Sequence, residues 1–130
     1  MHLESKDVLV NKPVDELFDY IDKPEKLKAL MPDNITKFEV TDNGFLFAIK
    51  GAPMDITLNI KEKIANEKLL LVSANPALDF SLQINTQGLN AAQSRVKVLF
   101  DGNFNPMVKM MVQKPLQRFI DDMSAKLEKM

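Results

Sequence analysis

The sequence predicts an α+β domain in which a curved antiparallel sheet of seven strands wraps around one long C-terminal helix, with two short helices after the first strand. Three observations predict it. First, Asn105 is a good N-cap and Pro106 suits the first helical position. Val108, Val112, Leu116, Phe119, Met123 and Leu127 then fall along one helical face on the way to Met130. Second, from Ile35 onward apolar residues alternate with polar ones, the period of strands with one buried face. Third, only the terminal helix is long enough to cover that face. At about 1.5 Å per residue it reaches roughly 35 Å, the width of about seven strands at 4.8 Å each. It is only about 10 Å wide, so the sheet has to curl round it, and curling leaves an internal space between the two.

Each element has its own local signal. The first strand starts near Leu3 and ends at Val8–Val10, its alternation interrupted by Glu4, Lys6 and Asp7. Pro13 opens a helix whose first turn carries Asp15 and Glu16, favourable at the positive end of the dipole, and whose stripe is Val14, Leu17, Phe18 and Ile21. Asp22-Lys23-Pro24-Glu25 reads as a stop and a new N-cap, and Leu27, Leu30 and Met31 give a second short helix ended by Pro32. Phe38/Val40, Phe45/Phe47/Ile49 and Ile56/Leu58/Ile60 then mark three antiparallel strands, joined by a tight turn at Asp42-Asn43-Gly44 and a corner at Gly51-Ala52-Pro53. Glu67–Ala74 is a more continuous apolar strand, followed by a turn at Asn75-Pro76. Leu78/Phe80/Leu82/Ile84 alternate next, Thr86–Ala92 reads as a polar loop, and Val96/Val98/Phe100 make the last strand.

Composition removes whole classes of function. At 130 residues, 45% hydrophobic and 27% charged, the chain is the size of a single domain with a real core, spanning 1–130. A net charge of −1 speaks against nucleic acid or an anionic membrane as the main partner. The absence of cysteine excludes disulfides, thiol nucleophiles and thiolate metal sites, and fits a reducing compartment. His2 is the sole histidine, expected at a frayed terminus, so neither a metal nor another cofactor is expected. With no apolar leader and no run of about 20 apolar residues, a cytoplasmic protein without stable membrane insertion is expected; the oligomeric state is left open.

One stretch carries a family resemblance. Val8-Leu9-Val10-Asn11-Lys12-Pro13-Val14-Asp15-Glu16-Leu17-Phe18-Asp19-Tyr20-Ile21-Asp22, followed by Pro24-Glu25-Lys26-Leu27, resembles the strand–Pro–"EEVF"–helix–Asp–"PE-L" opening of the START-like, or SRPBCC, helix-grip superfamily, with Lys12 where a small residue is usual. The order of elements resembles that superfamily over the whole chain. Lipid-transfer START domains, birch-pollen-allergen-type proteins and polyketide cyclases belong to it. The resemblance implies binding of apolar ligands beneath the C-terminal helix, where some members also catalyse.

The expected lining of that space is Phe45, Phe47, Leu58, Ile60, Phe80, Leu82, Val98, Phe100, Val108, Met111, Val112, Phe119 and Met123. Met107, Met110, Met111 and Met123 put four of the eight methionines on the terminal helix; they suit an adaptable lid, or a helix start buried on most sides as plain core. Pro115 removes one helical hydrogen bond and is expected to kink the helix. Three polar residues are candidate anchors in the cavity: Glu62 shares the inward parity of Ile60, Ser73 points inward, and Tyr20 has a hydroxyl to offer. Against Glu62 stands the cost of burying an isolated carboxylate. Asp15, Glu16, Asp19 and Asp22, like Lys61/Lys63 and Lys126/Lys129, read as solvated charge. The resulting expectation is non-catalytic binding or transport of an apolar small molecule or lipid. A cyclase- or hydratase-type enzyme using Tyr20, Glu62 or a cavity water stays open, as does a protein-interaction module like the chaperone-activating relatives.

Overall fold

The computed structural model describes residues 1–51, 55–75 and 79–130. Leu78 and the Ala52-Pro53 and Pro76 turn positions lie outside the described residues. The remaining elements run β1 (His2–Glu4), β2 (Val8–Val10), α1 (Val14–Ile21), α2 (Pro24–Leu27) with a 3₁₀ turn at Lys28–Leu30, and β3 (Ile35–Thr41). They continue with β4 (Gly44–Ile49), β5 (Asp55–Ile64), β6 (Lys68–Ser73), β7 (Asp79–Asn90), β8 (Gln93–Asn103) and α3 (Pro106–Glu128). One antiparallel sheet results, in the order β1-β8-β7-β6-β5-β4-β3, with β2 also on β8. It is seven strands wide, as expected, and becomes eight segments because the first strand is broken.

The break explains the poor alternation at the N-terminus. Leu3 lies opposite Phe100 but Val8 opposite Val96, so the first strand carries one residue more than β8 between the two pairs. Such a bulge flips side-chain parity. Leu3 and Ser5 point inward before it, Val8 and Val10 after it. Ser5 holds the join: its amide donates to the Val98 carbonyl at 2.9 Å and its Oγ accepts from the Val98 amide at 2.9 Å. The expected fraying is absent, since His2 pairs with Asp101 in the ladder.

A second correction concerns Thr86–Ala92. The polar loop is a continuation of the β7–β8 ribbon, with Thr86 opposite Val96 and Gln87 opposite Arg95, and only Ala91 and Ala92 turn the chain. The residues are polar because much of this end of the ribbon faces water. Its inner side receives α1: a Cβ on Gly88 would stand 3.1 Å from Val14 Cγ1. At the opposite edge, Phe38 stacks on Phe45 at 5.2 Å, but Val40 is exposed because α3 does not reach that far.

The terminal helix is capped as expected, Asn105 accepting from the Val108 amide at 2.9 Å, and it runs unbroken through Pro115. Gln117 donates to the Glu4 carbonyl on β1 at 3.3 Å, while Phe119, two residues on, stacks on Phe47 of β4 at 5.0 Å. These strands are five ladder steps apart, about 24 Å in a flat sheet. A helix about 10–12 Å across touches both at one level only because the sheet curls around it. The contact between Gly44 and β5 is equally close: a Cβ on Gly44 would stand 2.0 Å from the Leu58 carbonyl oxygen, so only glycine fits.

Candidate ligand-binding site

The residues expected to line the internal space separate into two zones. Phe45, Phe47, Leu58, Leu82, Val98, Phe119 and Met123 are sealed, with almost no surface open to water, and Val112 is nearly so. Phe47 stacked on Phe119 closes the middle of the interior. Beneath the second half of α3 the space is therefore filled with side chains. Towards the start of α3 the packing loosens. Phe80 and Phe100 stack at 5.6 Å, and Phe104 lies 6.0 Å from the first ring and 6.3 Å from the second. Phe104, Ile60 and Val108 are only half-buried, whereas Phe80 and Phe100 of this aromatic floor are buried.

Phe104 was not foreseen, because it stands between a strand and a helix cap with no periodic partner. The signal available was an apolar residue immediately before the Asn105 N-cap. Gly102 makes its position attainable: a Cβ there would lie 2.6 Å from the Phe104 ring, so the missing side chain lets the ring fold back on the sheet.

The three polar candidates are not brought together. Ile60 lies opposite Leu71 but Glu62 opposite Leu70, so a one-residue bulge at Lys61 breaks the parity that was expected to turn Glu62 inward. Glu62 is instead exposed and paired with Lys68 at 3.0 Å. After the bulge Lys63 takes the side of buried Leu69, and its ammonium reaches Asp22 at 3.6 Å. Tyr20 is 38% exposed on α1, with Lys26 over its ring at 5.4 Å. Ser73 does share the face of Leu58, and its Oγ is engaged locally, donating to the Asn75 carbonyl at 3.2 Å and accepting from the Asn75 amide at 3.1 Å.

The methionines are placed differently from the plain-core expectation. Met107 is 73% exposed, Met110 83% and Met111 48%, and the first fully buried residue of α3 is Val112. At 3.6 residues per turn Met107 and Met110 lie opposite the Val112–Leu116–Phe119 stripe, and Met111 on its flank. Met111 is thus outside the sealed lining.

Charge lies on the outer surface. An open recess of about 670 Å³ on the outer side of the sheet is lined by His2, Lys61, Asp79, Ser81 and Asp101 among others. It is polar and open, and Phe80 of the aromatic floor is among its lining residues. There His2 Nδ1 lies 2.6 Å from Asp101 Oδ1, and that hydrogen bond raises the imidazole pKa. On α1, hydrogen bonds from Lys23 and Lys26 hold the Asp19 carboxyl down at about 2. Among the described residues no three His, Asp or Glu side chains gather as a metal would need. No described helix is long and apolar enough to cross a membrane.

A curled antiparallel sheet gripping one C-terminal helix has many solved counterparts. The di-domain ARO/CYC BexL of the BE-7585A biosynthetic pathway aligns over 99% of this chain at a TM-score of 0.72 and 14% identity. The chain spans 45% of BexL's length. A START superfamily protein from Mycobacterium smegmatis aligns over 98% of this chain and 94% of its own, with a TM-score of 0.67 and 11% identity. The chain has the START-like helix-grip fold. The Zhui aromatase/cyclase from Streptomyces sp. R1128 shares that helix-grip fold at a TM-score of 0.70 and 14% identity, over 99% of this chain and 92% of its own. No protein-family model matches the sequence, and no curated protein matches it. At these identities the helix-grip likeness speaks for architecture and leaves binding and catalysis to be argued from the side chains.

Proposed function

We propose that this helix-grip chain binds an apolar small molecule or lipid, without catalysis, between the sheet and the first turn of α3. One observation carries the proposal. Phe104, stacked against the buried Phe80 and Phe100, and Val108 in the first turn of α3 stay half-buried at this end of the interior, and none of these residues carries an ionisable group. A mostly apolar recess with few polar anchors is the usual form of a small-molecule site. Acid–base catalysis needs a titratable group within hydrogen-bond reach of the reacting atoms, and the two considered for it, Glu62 and Tyr20, face outward. The resemblance of the sequence to the START-like superfamily implies an apolar occupant, and a START superfamily protein shares the fold.

The test is a titration with ANS and with a fluorescent fatty acid. Saturable binding near one equivalent is expected, with a melting temperature that rises with ligand concentration by mass action. Phe104→Ala removes a half-buried ring from the floor, so affinity should fall at least several-fold while the fold is kept. Binding that never saturates, or that ignores Phe104→Ala, refutes the proposal.

A further inference from the structure

The whole-chain charge of −1 hides a local asymmetry. From Asn105 to Ile120 the chain contains Lys109, Lys114 and Arg118 and no acidic residue. By helical spacing Lys114 and Arg118 share the outer side of α3 with the exposed Met107, Met110 and Met111, while Lys109 lies on a flank; Lys50, Lys114, Pro115 and Arg118 line one recess beside the helix, together with Asp33 and Asn34. The nearby carboxylates are engaged, Asp33 with Lys126 at 3.1 Å and Asp122 with Arg118 at 3.5 Å. Among the described residues Lys50, Lys109 and Lys114 form no ion pair.

We propose that this outer face of α3 docks reversibly on an anionic lipid bilayer, the methionines entering the headgroup–acyl boundary and the lysines reaching the phosphates. The face has the two halves that interfacial attachment requires, an apolar strip along a helix and basic residues beside it. Methionine suits the apolar half, being flexible and unbranched, and lysine stems can lie along lipid while the ammonium stays at the phosphate level. The inner face of the same helix remains packed on the sheet, so docking needs no unfolding. This attachment does not depend on the apolar-ligand reading and is tested separately from it.

The experiment is co-sedimentation of the full chain with vesicles of pure phosphatidylcholine and with vesicles containing about one third phosphatidylglycerol. The native protein is expected to sediment with the anionic vesicles alone, and to be released at about 0.5 M salt, where screening is short-ranged. Two double variants decide the mechanism, each checked for an unchanged melting temperature. Lys109→Gln with Lys114→Gln should weaken partitioning by about fivefold per lysine. Met107→Ser with Met110→Ser should weaken it by about tenfold or more, through lost apolar insertion. ANS binding should persist in both, separating this result from the internal site. Three results overturn the proposal. One is no sedimentation with anionic vesicles; another is sedimentation that either double variant leaves unchanged. The third is self-association dispersed by Met107→Ser with Met110→Ser and unaccompanied by vesicle binding, which would assign the face to a second copy of the chain.

Discussion

Phe119→Ala tests whether the helix grips the sheet through one ring. That ring is 1% exposed and stacks on Phe47 with centroids 5.0 Å apart and planes 13° from parallel. Truncating a buried aromatic side chain costs about 3–5 kcal/mol, and losing an aromatic pair contributes about 0.5–1.5 kcal/mol beyond burial. An effect of about 4–5 kcal/mol is therefore expected. Unfolding entropy near 2.1 cal/mol/K per residue over 130 residues amounts to about 0.27 kcal/mol/K, so the melting temperature should fall by roughly 15–18 °C. Met111→Ala is the internal control. At 48% exposure it lies outside the sealed zone and should cost no more than about 1 kcal/mol, roughly 4 °C. Thermal melts followed by circular dichroism, with urea melts to confirm an unchanged m-value, measure both. A Phe119→Ala shift below about 4 °C, or one equal to that of Met111→Ala, would refute the division into a sealed and a loose half.

Two further changes probe the sheet. Gly44→Ala places a methyl carbon 2.0 Å from the Leu58 carbonyl oxygen, so β4 and β5 must part locally; a loss of about 2–3 kcal/mol is expected in denaturant melts. Gly88→Ala, whose nearest contact is the Val14 side chain at 3.1 Å, should be milder, and equal costs would contradict the close approach at Gly44. His2 should titrate above 6.5 by NMR because Asp101 stabilises its charged form, and Asp101→Asn should bring the midpoint down. With the folded pKa raised, this pair's contribution is fully present below the unfolded value and is lost as pH rises through the folded one. A midpoint unmoved by Asp101→Asn would dissociate the imidazole from that carboxylate.

The inward positions of β5 could be read directly, since Ile56, Leu58 and Ile60 alternate with the polar Thr57 and Asn59. Those of β4 followed from the period-two spacing of the bulkier Phe45, Phe47 and Ile49 around Leu46 and Ala48, and such spacing is a property of the strand itself. The cap at Asn105 was legible for the same reason: its side chain closes on an amide three residues away. Glu62 was misplaced because a bulge at Lys61 depends on how many residues the partner strand supplies, and β5 alone does not show it. The N-terminal strand fails to alternate on the same account, with Ser5 bonded to Val98 across the ladder. The polar end of the β7–β8 ribbon looked like a loop because hydropathy reports burial, and this pairing persists where burial ends.

The methionines divide the question most clearly. Four of the eight lie on one long helix, and the Val112–Leu127 stripe already implies that Met107 and Met110 lie on its far side. Local periodicity therefore determined most of the elements, the Asn105 cap and the buried face of the terminal helix. Only the tertiary structure decided that the internal space is sealed by Phe47 against Phe119, that burial is incomplete at Phe104 and Val108 by the start of α3, and that Lys50 joins Lys114 and Arg118 beside the helix. The physical reason is range: helix and strand periods arise within a few residues, whereas filling a space and grouping charge depend on side chains that meet only when the sheet curls around the helix.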